Sequence, residues 1–293
     1  MTGFLKRKFL EHIKLKKKII LVDFSKDKNE FESFLKVYDI LKKINISIPQ
    51  IYEVYIKECI IVMEDFGENK FDKILSKKQL YFLLKLAVDN LIIIQNSITK
   101  DDLENLEEYT FIELKKEISE FVDYYIPFKK IMNFPTNNFY DYWENIYNKQ
   151  TFEFDSFVHK DFEFINLILI DKNVLHLKCG IIDFQNAFIG FKGCDLFSIL
   201  ENPRIDFTRE HNDFLIKHFY KNVNVTCDFN MFLDQYYTLN LVRQTKLLGR
   251  WVKIFNSGKD EYLKYIEPTK KRIISCLNNI KNDKLKLIYQ KFL

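Results

Sequence analysis

The sequence predicts an α+β fold in which a small, strand-rich region of residues 1–66 precedes a mostly helical region of residues 67–293. The first region contains short apolar runs at residues 18–22, 51–56 and 59–63, which have the length of strands. The second region repeats apolar residues at helical spacing, namely Leu80, Leu83, Leu84, Ala87, Leu91 and Ile94. Two apolar strand-like runs within residues 157–183 interrupt the helices, and polar residues stand where these runs end. We therefore expect two domains, with the polar cluster in the second.

Composition excludes several classes of protein. Of the 293 residues, 47% are hydrophobic and 29% are charged, which is typical of a globular chain with sizeable cores. The net charge of +4 is too small to indicate nucleic-acid binding. No apolar run is long enough to cross a bilayer, and no signal peptide is evident. We expect a cytoplasmic protein, a monomer or weak dimer, with no nucleic-acid or membrane partner.

The cysteines argue against a zinc site and against a disulfide framework. There are five, an odd number, at positions 59, 179, 194, 227 and 276, and no two have Cys-x2-Cys spacing. Buried free thiols in a reducing compartment are therefore the expectation.

Residues 27–43 form the clearest predicted helix of the first region. Asp27 followed three residues later by Glu30 is a start typical of a capping box. One face of this helix is apolar and carries Phe31, Phe34, Leu35, Tyr38 and Leu41. The runs at 51–56 and 59–63 then predict a β-hairpin that ends at Glu64-Asp65-Phe66-Gly67.

The cluster at residues 157–183 carries the chemistry. Its first strand leads to His159, Asp161 and Asn166, and a hairpin of residues 166–170 and 174–178 leads to a strand that ends at Asp183. His-x-Asp-x4-Asn is the spacing of a kinase catalytic loop, in which the Asp accepts a hydroxyl proton and the Asn binds a metal ion. Asp183 in Ile-Asp-Phe stands where kinases carry their Mg²⁺-binding Asp. The alternative is that Asp161 is a turn residue, Asn166 a cap and Asp183 a strand terminator. Three unrelated coincidences would then have to occur in the order of the kinase motif.

These segments also resemble a known family. His159-Lys-Asp-Phe-Glu-Phe-Ile-Asn166 and Ile182-Asp-Phe-Gln185 are similar to the aminoglycoside phosphotransferases, relatives of choline kinases and protein kinases. More narrowly, four segments resemble the branch that contains the anomeric N-acetylmuramate/N-acetylglucosamine kinases of cell-wall recycling: residues 180–190, 195–200, 241–249 and 258–263. This chain departs from the branch at Asn186, Phe191 and Cys194, where Asp, Pro and Tyr are usual.

The resemblance implies a two-lobed protein-kinase-like fold, with a nucleotide-binding lobe at 1–66, a catalytic and substrate lobe at 67–293, and ATP and Mg²⁺ as cofactors. Asp161 would orient or deprotonate the hydroxyl, Asn166 and Asp183 would bind the metal, and His159 and Asp195 would support the loop. Residues expected at the nucleotide are Glu64, Asp65 and Phe66 of a hinge segment, together with Lys6 or Arg7. An ordinary strand end and a solvated basic terminus are the respective alternatives.

The resemblance also implies a substrate side. Gln185, Arg243, Gln244 and Lys246 could contact an amino sugar, although a salt-bridged helix face would explain the last three equally well. The expected reaction is phosphorylation of a small molecule, most specifically at the anomeric hydroxyl of an N-acetylated amino sugar. Another small alcohol, such as an aminoglycoside, choline or a homoserine-like compound, is the first alternative substrate.

Two parts of the usual nucleotide machinery are missing. Gly3 is the only glycine before Gly67, so the first region cannot contain a glycine-rich phosphate loop. The strand at residues 19–22 lacks the lysine that protein kinases place on their third strand. A catalytically impaired pseudokinase or binding module is therefore the second alternative.

Overall fold

Four antiparallel strands and one long helix form the first part of the fold. The computed structural model describes residues 6–12, 17–149, 152–205, 208–290 and 292–293. Strands β1 (Lys6–His12), β2 (Lys17–Asp23), β3 (Ile51–Tyr55) and β4 (Ile60–Glu64) form one sheet in the order β1-β2-β4-β3. Because β4 has a partner on each side, Ile61, Val62 and Met63 are all buried. The predicted hairpin and the strand at 18–22 are therefore confirmed.

Helix α1 (Lys28–Leu41) follows β2 and buries its apolar face. Its first turn is capped by Asp27, whose carboxylate accepts a hydrogen bond from the backbone N–H of Glu30 at 3.0 Å. Only this half of the predicted capping box forms. The other half would need the Glu30 carboxylate at the backbone N–H of Asp27, but that carboxylate accepts a hydrogen bond from Gln185. The cap thus leaves the Glu30 side chain available for a contact far along the chain.

Among the described residues, six α-helices follow before the catalytic segment, and the first four are α2 (Phe71–Ile74), α3 (Leu80–Ser97), α4 (Lys100–Leu103) and α5 (Phe111–Glu120). A π-helical turn (Phe121–Tyr125) connects α5 to α6 (Ile126–Phe128), and α7 (Thr136–Lys149) comes next. Helix α3 is apolar around most of its circumference and is largely buried. The helix predicted from residue 80 onward is therefore confirmed, and it extends to Ser97.

The catalytic segment contains short strands: β5 (Phe154–Val158), β6 (Leu167–Leu169), β7 (Cys179–Ile181) and β8 (Phe188–Phe191). Strand β5 pairs with β8, and β6 pairs with β7. The prediction that residues 174–178 pair with residues 166–170 is wrong, since the partner strand is Cys179–Ile181 and His176–Lys178 form a 3-10 turn. Burial explains the choice: Cys179 and Ile181 are 0% exposed, whereas Val174 and Leu175 are 49% and 56% exposed.

The remaining elements are α8 (Cys194–Leu200), α9 (Arg209–Asn222), α10 (Phe229–Phe255), a 3-10 helix (Asp260–Tyr265), α11 (Ile266–Asn279) and α12 (Asp283–Gln290). Helix α10 is preceded by Asp228, whose side chain caps it by accepting from the backbone N–H of Met231. Asp195, by contrast, lies in the first turn of α8, and the N-cap position is occupied by Gly193. Within the described ranges, no helix is both long enough and apolar enough to cross a membrane.

The chain divides into two compact units that are not consecutive in sequence. Unit 1 comprises Met1–Leu106, Ser156–Ile189 and Asp213–Asn224, and unit 2 comprises Glu107–Asp155, Gly190–Asn212 and Val225–Leu293. The boundary expected near residue 66 lies within unit 1, which contains the four-stranded sheet and residues 156–189 of the catalytic segment, so the division into two lobes there stays a prediction. The five cysteines are free thiols, with Cys59, Cys179 and Cys276 buried and Cys194 and Cys227 partly exposed.

Candidate active site

A compact loop after β5 presents Asp161. The carbonyl oxygen of Asp161 accepts hydrogen bonds from the backbone N–H of Glu163 at 2.8 Å and from Nδ2 of Asn166 at 2.9 Å. Lys160 turns the chain with a φ of 77°, in the left-handed region that few residues other than glycine adopt. The backbone of Asp161 is thereby held from two sides, and its carboxylate remains partly exposed.

Asp183 is joined to this loop through the backbone. The N–H of Ile182 donates to the carbonyl of Asn166 at 3.1 Å, which places the residue before Asp183 directly beside Asn166. Asp183 has a φ of 69°, and such a conformation costs a non-glycine residue about 1 kcal/mol or more. Asn186 then returns to the loop, and its Nδ2 donates to Oδ2 of Asp161 at 3.3 Å. The structure thus brings Asp161, Asn166 and Asp183 together.

His159 lies beneath this cluster. It is 0% exposed, and its ring meets that of Phe162 edge-on with centroids 5.7 Å apart. Burial lowers the pKa of His159, although the carboxylates of Asp161 and Asp183 and a hydrogen bond to the backbone of Ile182 favour the charged form. The lowered pKa favours a neutral imidazole in the core, and a supporting role of His159 for the loop stays a prediction.

The oxygen atoms of Asp183 and Asn166 fit a magnesium ion. Asn166 uses Nδ2 for Asp161, so its side-chain oxygen is the atom left to act as a ligand. Mg²⁺ is usually bound by one or two protein oxygens together with phosphate oxygens and water. Among the described residues, no group of three or more His, Cys, Asp or Glu side chains could enclose a metal ion.

A mostly apolar pocket of unit 1 extends from Asp183 to the segment after β4. Its apolar walls comprise Ile20, Val22, Phe24, Phe34, Pro49, Met63, Phe66, Ile168, Ile182 and Phe184. Its polar lining comprises Glu64, Asp65, Lys70, Asp183 and Gln185. The predicted hinge residues and the predicted metal ligand Asp183 therefore line the same pocket.

Gly180 allows one pocket wall to form. A Cβ atom at this position would lie 2.5 Å from Cδ2 and 2.8 Å from Cε2 of Phe66. The Phe66 ring can therefore lie against β7 only because residue 180 has no side chain. This reason for a glycine is invisible in the sequence.

The predicted phosphate contacts at Lys6 and Arg7 fall on β1. Both residues pair through the backbone with β2, Lys6 opposite Asp23 and Arg7 opposite Val22. Their side chains lie outside the described residues, so a role at the phosphates stays a prediction.

The other predicted residues lie in unit 2. Asp195 is 2% exposed, Arg243 is 7% exposed and Gln244 is 0% exposed. Two hydrogen bonds fix the Gln244 side chain, since its Nε2 donates to the carbonyl of Glu201 at 3.0 Å and to Oδ1 of Asn240 at 2.9 Å. Lys246 forms an ion pair of 2.6 Å with Glu117. Within unit 2, Lys246 and Gln244 therefore serve helix packing, and their contact with a substrate stays a prediction.

Sequence reasoning missed two groups of contacts. Glu30 and Ser33 of α1 both bind Gln185, and no local pattern indicates a partner about 150 residues away. Gly249 of α10 is the second case, because a Cβ there would lie 2.0 Å from the carbonyl oxygen of Glu120. The glycine in an otherwise helical run was the available signal for a close helix–helix approach.

Comparisons with known proteins agree with this geometry. The Ecdysteroid kinase-like family model matches residues 87–229, just under half of the chain. A curated relative, the N-acetylmuramate/N-acetylglucosamine kinase of Neisseria meningitidis serogroup B, is 23% identical over 258 residues, which are 83% of this chain and 74% of the relative.

Solved structures show the same fold. The choline kinase LicA from Streptococcus pneumoniae superposes with a TM-score of 0.62 at 15% identity, over 94% of this chain and 92% of that chain. The ADP-bound aminoglycoside phosphotransferase APH(2″)-Ib superposes with a TM-score of 0.54 at 14% identity, over 93% of each chain. The resemblance indicated by the motifs is thereby confirmed, and the chain is a small-molecule kinase with the α+β, protein-kinase-like fold of aminoglycoside phosphotransferases and choline kinases.

Proposed function

We propose that this protein transfers the terminal phosphoryl group of ATP to the anomeric hydroxyl of an N-acetylated amino sugar. The observation that carries the proposal is the convergence of Asp161, Asn166 and Asp183, the last of which lines the unit 1 pocket. Phosphoryl transfer depends mainly on positioning the reactants and neutralising charge, and these three side chains are suited to both tasks.

Asp161 is proposed to receive the substrate hydroxyl. The hydrogen bond from Asn186 engages Oδ2, which leaves Oδ1 as the acceptor for the hydroxyl proton. The backbone of Asp161 is held by Asn166 and Glu163, so the carboxylate does not need to be ordered when the substrate binds. Mg²⁺, bound by Asp183 and the oxygen of Asn166, would neutralise charge on the transferring phosphate.

The pocket is proposed to bind the adenine nucleotide. Its apolar walls suit a flat heterocycle, and Glu64, Asp65 and Phe66 lie where the resemblance places the hinge. Asp183 also lines this pocket, so a metal ion that it held would be close to a nucleotide bound there. The ADP-bound aminoglycoside phosphotransferase of similar fold supports the binding of a nucleotide.

The amino sugar is the finer part of the proposal. It rests on the curated relative and on the motifs shared with the anomeric sugar kinases. Charge argues against polycationic aminoglycosides, because a pocket for such ligands should concentrate carboxylates. The chain instead has a net charge of +4, and lysines are frequent in its C-terminal helices.

A panel of acceptors tests the proposal directly. Purified protein with Mg-ATP should phosphorylate N-acetylmuramate or N-acetylglucosamine far better than kanamycin or choline, with an Asp161→Asn variant as the inactive control. The product should carry an acid-labile phosphate and should have lost its reducing end, because the phosphate is on the anomeric carbon.

Three results would contradict parts of the proposal. An acid-stable phosphate on a sugar that still reduces would show transfer to a different hydroxyl. Turnover of aminoglycosides or choline alone would refute the amino sugar as substrate. Binding of Mg-ATP without turnover of any acceptor would favour the pseudokinase alternative.

A further inference from the structure

One face of helix α1 holds the two residues that follow Asp183. Glu30, Ser33 and Phe34 have the i, i+3, i+4 spacing that places side chains on a common helix face. Oε1 of Glu30 accepts from Nε2 of Gln185 at 3.1 Å, and Oγ of Ser33 donates to the carbonyl of Gln185 at 2.5 Å. The Phe34 ring stacks on the Phe184 ring, with centroids 4.9 Å apart and planes at 29°.

These contacts act next to a strained residue. Asp183 has a φ of 69°, and a conformation of this kind persists only where the surroundings over-determine it. Gln185 is 5% exposed, and its Nε2 also lies 3.5 Å from Oδ1 of Asp183. The side chain of Gln185 therefore stands between the carboxylate of α1 and the proposed metal ligand.

The link differs in chemistry from the one in protein kinases. Those enzymes pair the helix glutamate with a lysine on the third strand. Here residues 19–22 of β2 contain no lysine, and the Glu30 carboxylate accepts from a neutral amide. Burial raises the pKa of Glu30, while the hydrogen bond from Gln185 lowers it and the charges of Asp27 and Asp183 raise it. The net result is a raised pKa of Glu30, whereas an adjacent lysine would lower it.

We infer that Gln185 and Glu30 are positioning residues, whose hydrogen bond fixes Asp183 in its metal-binding orientation. Ser33 and the stacked rings complete the same attachment. Glu30 then acts as a hydrogen-bond acceptor and not as a charge. This inference rests on the proposed function only in taking Mg-nucleotide as the ligand of Asp183.

Two substitutions at Glu30 separate acceptor from charge. Glu30→Gln keeps an acceptor oxygen for Gln185, so Mg-ATP affinity measured by calorimetry should stay within about 2-fold of the unaltered protein. Glu30→Ala removes the acceptor, and Gln185→Met removes the donor at similar size. Both should weaken Mg-ATP binding by about 10-fold, the upper end of the scale for one lost hydrogen bond. Nucleotide affinity in EDTA should not change in Glu30→Ala, because Glu30 does not line the pocket and the link acts through the metal.

Glu32→Ala is the matched control. Glu32 is on the same helix, its side chain is 62% exposed, and it pairs only loosely with Lys28 at 3.5 Å. The Glu32→Ala variant should bind Mg-ATP with the same affinity as the unaltered protein. Thermal unfolding of each variant identifies those that fail to fold, and Gln185→Met tests the link independently if Glu30→Ala is one of them.

The outcomes separate this inference from the proposed function. If Glu30→Gln loses as much affinity as Glu30→Ala, Glu30 acts through its charge and the inference is wrong. It is also wrong if Glu30→Ala and Gln185→Met both bind Mg-ATP normally while Asp183→Ala does not. If the unaltered protein shows no magnesium-dependent nucleotide binding, the proposed function itself fails.

Discussion

Replacing Gly180 with alanine should damage nucleotide binding more than folding. The new Cβ would lie 2.5 Å from Cδ2 of Phe66, whereas ordinary contacts of this kind are 3.4–4 Å. The Phe66 ring must therefore move by about 0.9 Å at least, as the difference between 3.4 and 2.5 Å shows. Because this ring is part of the pocket wall, its displacement changes the surface on which the base is proposed to stack.

The size of the effect follows from the cost of overpacking. Adding a methyl group to a well-packed site typically costs about 1–3 kcal/mol. Phe66 is only partly buried, so its ring can yield toward the pocket and the protein can keep its fold. The strain then weakens nucleotide binding and not folding. At about 1.4 kcal/mol per factor of ten, a cost of about 1–3 kcal/mol corresponds to nucleotide affinity about 5-fold to 100-fold weaker.

A double-mutant cycle tests the reasoning. Affinity for ATP is measured by calorimetry in Gly180→Ala, Phe66→Ala and the double variant, with thermal unfolding as the check on folding. If the Phe66 ring transmits the effect, Gly180→Ala should cost much less in the Phe66→Ala background. Equal losses in the two backgrounds would show that the pocket wall is not the route and would refute the argument.

Three further predictions concern the catalytic loop and unit 2. Asp161→Asn should lower turnover by about 100-fold or more with little change in Mg-ATP affinity, and near-normal steady-state rates would remove Asp161 from the mechanism. Gly249→Ala should lower the free energy of unfolding by about 1–3 kcal/mol or more, because its Cβ would lie 2.0 Å from a backbone carbonyl; calorimetric stability within about 0.5 kcal/mol of the unaltered protein would contradict the close approach. Burial raises the pKa of Glu120, but the hydrogen bond and charge of Arg250, with Lys253, outweigh burial and leave the pKa below its ordinary 4.5. The stabilisation is thus complete above about pH 4.5 and is lost as the pH falls through the lowered pKa, so urea unfolding should find Glu120→Gln less stable at pH 7 and the difference smaller at pH 3.

Local features could be predicted from the sequence because the interactions that create them are local. The cap of α1 spans three residues, from Asp27 to Glu30, and the bond that fixes the catalytic loop spans five, from Asn166 to Asp161. Strand length and helical periodicity located the sheet, the hairpin of β3 and β4 and the longest helices. The spacing of the catalytic loop and the position of Asp183 indicated phosphoryl transfer before any tertiary contact was known.

Only the tertiary structure shows which residues each helix face or strand contacts. Periodicity shows that a helix has an apolar face, but it does not show that Glu30 and Ser33 on α1 meet Gln185 more than 150 residues later. The same limit applies to Lys246, whose pairing with Glu117 spans 129 residues. It applies also to β7, where residues 174–178 and Cys179–Ile181 are both strand-like and only burial against the rest of unit 1 selects the second. The physical reason is that burial and hydrogen bonding act between surfaces, and which surfaces come together depends on the packing of the whole chain.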